Sequence, residues 1–154
     1  MEYLVAKWLH IMSSTFLFGT GIGSAFYLLF ATISKDTRAI AFVTRYVVIA
    51  DTLFTATTAI VQPATGFWMI HITGFPLSLA WLKWSIVLYV IAIACWLPVV
   101  WLQFRLRDLA KQALKNDTPL PPLYWRYFKI WVALGVPAFF AFVAIFYLMV
   151  MKPA

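Results

Sequence analysis

Charge is scarce in this 154-residue chain. Lysine, arginine, aspartate and glutamate make up 11% of it, and only five residues are acidic. Soluble domains carry about 25% charged residues and about half apolar ones. Here 64% of residues are hydrophobic and the mean hydropathy is +0.90. One domain of this length cannot hide so much apolar surface from water, because small folds leave much of their surface exposed. Lipid is the solvent that suits it. Cysteine is limited to Cys95, which excludes an internal disulfide and any multi-cysteine metal site. Deep in an apolar run, it reads as a small packing residue. Alternating strands are missing too, which excludes a transmembrane barrel. No serine, cysteine and acid arrangement forms a nucleophilic triad, so hydrolytic catalysis has no support. The N-terminus lacks a basic leader and a small-residue cleavage site, so the first span is expected to persist in the mature protein.

What remains is four apolar runs, about 3–33, 39–73, 79–106 and 124–151, each long enough for the roughly 20 helical residues that cross a bilayer. Backbone groups in lipid must be satisfied within their own segment. The expectation is therefore an all-α, four-helix transmembrane bundle forming a single integral membrane domain over 1–154. The connection Arg105–Arg126 is the one long polar loop, and its first half is able to prolong the third helix until Asn116, Asp117 and the prolines end it. Basic residues set the orientation. Lys35, Arg38, Arg45, Arg105, Arg107, Lys111, Lys115, Arg126 and Lys129 flank the first and third connections, against Lys7, Lys83 and Lys152 on the other side. Because cytoplasmic loops collect lysine and arginine, both termini are expected outside a bacterial inner (cytoplasmic) membrane. The same clustering between spans argues against nucleic acid, despite the net charge of +7.

Histidine occurs only twice, and both copies fall toward the outer side. His10 lies about two turns inside the first helix and His71 ends the second, with Lys83 starting the third. Two imidazoles on neighbouring antiparallel helices are able to clasp a haem iron. The plainer readings are a helix-bridging His10 and a solvated His71. Ionisable residues inside spans are costly and usually functional, so His10 is the stronger candidate. Gly19 and Gly23 form GxxxG, which allows close helix approach. Asp51, Thr55, Thr58 and Gln62 share one helical face. Asp51 is the only acid well inside a span; pairing with Arg45, accepting from the threonines, or holding a proton beside a quinone are all open to it, and a polar seam between helices is the plainest role. Trp8, Trp81, Trp84, Tyr124 and Trp125 fit interfacial belts. Trp68, Trp96, Trp101 and Trp131 suit lipid contact, or the edge of a planar cofactor. Pro63, Pro98 and Pro137 are expected to bend their helices.

The segments FGTGIGSAFY, VIADTLFTATTAIVQPATGFW, CWLPVVWLQFRLRDLA and PLPPLYWRYFKIWVALGVPAF, with the terminal IFYLMVMKP, resemble an uncharacterised bacterial family of predicted four-helix integral membrane proteins. That family is similar to a wider group containing the copper-resistance protein CopD and the HemJ-type protoporphyrinogen oxidase. The shared pattern is LH in the first helix, TG.W late in the second, RDLA after the third and KP at the end. The resemblance implies haem b held by His10 and a functional lysine at Lys83, and it gives His71 no counterpart. His71, with Lys83 the other choice, enters as the second axial ligand from its position at the same end of the bundle. Lys83 and Asp51 would be the catalytic residues, with a quinone or porphyrin-like substrate. The third helix here reads IACWLP, without the histidine of HemJ-type enzymes. Electron transfer or oxidation of a membrane-accessible substrate is the leading expectation, alone, as a homo-oligomer or within a larger complex. A cofactor-free accessory or transport-related subunit is the alternative. Copper handling is poorly supported by five scattered methionines.

Overall fold

The computed structural model describes residues 1–153; Ala154, at the end of the expected 1–154 domain, lies outside the described residues. Four helical spans make up the chain, and no strand occurs among the described residues. Helix α1 covers Glu2–Ser34 and stops at Lys35, which takes the left-handed conformation at φ 58°. The second span runs Thr37–Thr73. Asp36 opens it, its carboxylate accepting the backbone N–H of Arg38, as an N-capping side chain does. Within it, α2 (Thr37–Ala50) and α3 (Ala56–Thr73) are joined by one wide turn, Asp51–Thr55, where the N–H of Ala56 reaches back five residues to the carbonyl of Asp51. Gly74 ends α3 at φ 67°, a conformation that glycine adopts without penalty. Helix α4 spans Ala80–Lys115 and α5 spans Pro122–Met151.

The third helix thus runs nine residues past the expected apolar limit at Leu106. The residues Arg107–Lys115 still bury Ala110 and Ala113 on the bundle side, which is enough to hold the extension. All three helices with internal prolines continue through them.

The buried apolar residues gather toward the basic end. Leu28, Ile40, Val47, Leu102, Leu106 and Tyr124 form the centre of a core cluster there. Elsewhere large apolar side chains point outward, Phe26, Phe42, Ile60 and Phe140 among them, as helices apolar on all sides do when their solvent is lipid. Two aromatics expected in the interfacial belts are instead inside. Tyr124 is fully buried with its hydroxyl 2.9 Å from that of Thr32. Trp81 is 9% exposed, packed edge-on to Phe75 and covered by the Lys152 ammonium at 5.5 Å. Trp8 and Trp84 are exposed, as belts require.

The GxxxG expectation fails in this bundle. A side chain added at Gly19 or Gly23 would meet nothing within 4 Å, so no helix approaches there. The glycine that does permit close approach is Gly66 on α3, where an added Cβ would lie 3.3 Å from the His10 ring.

Candidate functional site

The polar residues of the spans separate into two clusters. The first lies in the half away from the basic end, between α1 and α3. His10 Nδ1 is 2.9 Å from Thr65 Oγ1, and its Nε2 is 2.9 Å from the amide nitrogen of Gln62. The Thr65 hydroxyl donates to the Val61 carbonyl at 2.8 Å, so it receives from His10, placing the imidazole proton on Nδ1. Gln62 then donates its amide to Nε2, and its carbonyl accepts the Ser13 hydroxyl. The chain of bonds is complete from Ser13 to Val61, each donor matched to an acceptor.

That arrangement decides how these residues stand toward haem. An axial imidazole needs a nitrogen free to reach iron, and both nitrogens of His10 are already engaged across α1 and α3. His71 lies five residues beyond Gly66, about 7.5 Å further along the helix, and is exposed. Lys83 is exposed as well, and among the described residues no hydrogen bond joins either one to His10. No group of three metal-ligating side chains occurs among the described residues. As arranged, His10, His71 and Lys83 do not fit an axially ligated haem; ligation by His10 would require giving up Gln62 or Thr65.

The second cluster lies about 16 Å deeper along α1, eleven residues on from Ser13. Asp51, only 4% exposed, accepts from three directions. Ser24 of α1 and Thr55 reach Oδ1 at 3.2 and 3.1 Å, and the amide of Gln103 on α4 reaches Oδ2 at 2.6 Å. Arg45, an ion-pair candidate by sequence, is exposed and makes no salt bridge among the described residues. The wide turn begins at Asp51, and such turns recur at functional sites because they re-aim side chains within a helix. The seam read on one face of the second span is divided. Asp51 and Thr55 serve this cluster, Gln62 serves the first one, and Thr58 returns its hydroxyl to the Phe54 carbonyl of its own helix.

Asp51, Thr55, Ser24 and Gln103 are also the polar part of the lining of a cavity of about 420 Å³. Its walls are otherwise apolar, from Leu17, Gly21 and Ala25 on α1 to Val132, Gly135 and Phe139 on α5. Phe18 packs against Phe139 and Phe146 at 5.7 and 5.2 Å between ring centroids, joining α1 to α5 at one edge. Trp96 and Trp131 stand in the wall, and each has a buried indole N–H with no hydrogen-bond partner. These two therefore border a cavity rather than lipid alone, whereas Trp68 and Trp101 are exposed on the outside. Gln103 is not among the candidate residues that the sequence singles out, although a lone amide between Leu102 and Phe104 in an apolar run is a usable signal. For the tryptophans no local signal distinguishes wall from lipid surface.

Among proteins already known, no curated protein and no solved structure matches the chain. The wider likeness to copper-resistance and HemJ-type proteins therefore rests on the short motifs alone. A family model does match, over residues 4–153. With four apolar spans and that match over nearly its full length, the chain is a multi-pass membrane protein that belongs to the family described as "Predicted integral membrane protein (DUF2269)".

Proposed function

We propose that the chain binds a lipophilic carbonyl compound of the quinone class, taken from the bilayer into the cavity between α1, α4 and α5. The observation that carries this reading is the only acid deep within the spans, Asp51, set with Gln103 in the lining of an otherwise apolar cavity. A quinone ring is apolar and planar with acceptor oxygens at its ends, so it suits aromatic walls with few donors. Trp96 and Trp131 add flat aromatic surface to the same wall, while their indole N–H groups are buried away from it. The volume of about 420 Å³ lies within the roughly 300–1,000 Å³ of small-molecule sites. Asp51 stands where a carboxyl is able to exchange a proton with a ligand hydroxyl. A porphyrin-like substrate is less well served, because no lysine or arginine lines the cavity to meet its carboxylates.

The test is equilibrium binding of a short-tailed quinone to the full chain in lipid nanodiscs, followed by tryptophan fluorescence. Saturable binding is expected, weakened about fivefold by Gln103→Leu, the equivalent of one hydrogen bond of about 1 kcal/mol. Absence of saturable quinone binding would leave the cavity to water and return Asp51 to a purely helix-joining role.

A further inference from the structure

The end of the bundle that carries nine of the twelve basic residues has a second concavity, an open groove of about 940 Å³ between α2 and α4. On α2 its lining includes Arg38, Phe42, Arg45 and Ile49, spaced four, three and four residues apart, so that they share one face. On α4 it includes Arg107 and Lys111, one turn apart. The two helices run in opposite directions, so Arg38 and Lys111 stand nearer the mouth, and Arg45 and Arg107 nearer the bilayer interior. Seven residues separate Arg38 from Arg45, about 10 Å of helix rise.

The charges here are not balanced by the protein. Asp108 is the one carboxylate in the lining, and Arg107 engages it through Nε at 3.0 Å and Nη2 at 2.8 Å. Four cations and one carboxylate leave three positive charges in excess. Arg38, Arg45 and Lys111 make no salt bridge among the described residues. Between the cations the groove is greasy. Phe42 and Ile49 are 64% and 48% exposed on the same face of α2.

We infer that this groove binds an anionic phospholipid. Its phosphates meet the guanidinium and ammonium groups, and an acyl chain lies along Phe42 and Ile49 toward the bilayer interior. Basic pockets between spans at a membrane surface hold acidic headgroups in this way. Two tiers of cations favour a headgroup with two phosphates over one. A free phosphate ion would satisfy the charges but leave Phe42 and Ile49 uncovered, which is why the lipid is the better occupant. The inference is independent of the quinone reading, since the groove and the cavity share no lining residue.

Native mass spectrometry of the full chain, released from detergent with added lipid, tests it. Diphosphatidylglycerol should bind more tightly than phosphatidylglycerol, and both more tightly than phosphatidylcholine. Each basic group near a membrane surface contributes about 1 kcal/mol, so Arg45→Gln or Lys111→Gln should weaken binding about fivefold and the double variant about 25-fold. Lys7→Gln and Lys152→Gln, at the opposite end, should leave it unchanged. If the double variant fails to insert, the single variants carry the comparison. Equal binding of phosphatidylcholine, an effect of Lys7→Gln as large as that of Arg45→Gln, or displacement of the lipid by millimolar inorganic phosphate would each overturn the inference.

Discussion

Asp51 is held by Ser24, Thr55 and Gln103, donors from α1, its own wide turn and α4, so one side chain joins three segments. Replacement by leucine strands those donors, and each buried donor left unpaired costs about 1–3 kcal/mol. Asparagine keeps one acceptor oxygen for Gln103 and offers its amide to the two hydroxyls, which accept as well as donate. Unfolding in detergent should therefore show Asp51→Leu clearly destabilised and Asp51→Asn within about 1 kcal/mol of the parent. Equal losses would mean that charge, and not hydrogen bonding, holds the cluster. His10 is the second residue whose role is open to direct test. Its two bonds and its contact with Gly66 make it a bridge, and His10→Ala should lower stability by about 1–3 kcal/mol. Protein purified from haem-replete cells should show no Soret absorption that depends on His10. A Soret band lost in His10→Ala would show that the imidazole leaves Gln62 and Thr65 to bind iron.

At the scale of the helices, the spans were legible because continuous apolar runs of this length have one physical solution in lipid. Their faces were not. Periodicity reports burial against water, and a helix surrounded by lipid has apolar residues on every side, so the apolar residues of α1 and α5 do not mark where a neighbour packs or a cavity opens. On α1 only the polar His10, Ser13, Ser24 and Thr32 mark the packed side. Gly19, Gly23 and Gly66 illustrate this. The first two look like a packing motif and border open space, whereas Gly66, a lone glycine after Pro63, receives the His10 ring. Gly66→Leu should cost about 1–3 kcal/mol from overpacking. Gly19→Ala and Gly23→Ala should be neutral or gain up to about 1 kcal/mol from helix propensity. Thermal unfolding of the three variants in one detergent decides it, and destabilisation at Gly19 would restore the GxxxG interface. The wide turn at Asp51–Thr55 was equally hidden, since its residues satisfy an ordinary helical spacing.

For the molecule as a whole, the division of charge predicts an orientation. Ser34→Cys and Asn116→Cys should be shielded from an impermeant thiol reagent added outside intact cells, and Gly74→Cys should be labelled. Cys95, within a span, supplies little background. Labelling of Ser34→Cys but not of Gly74→Cys would invert the topology and place the lipid groove in the outer leaflet. The two polar clusters also differ in their surroundings. The one around His10 is closed, its bonds complete within α1 and α3. The one around Asp51 lines an otherwise apolar cavity.

Photoaffinity labelling with an azido-quinone in native membranes tests that distinction most directly. The account predicts adducts on the α1 segment from Leu17 to Ala25 and the α5 segment from Val132 to Phe139, suppressed by excess unlabelled quinone. Adducts confined to outward-facing residues such as Trp68 and Trp101, or labelling that unlabelled quinone does not suppress, would contradict it.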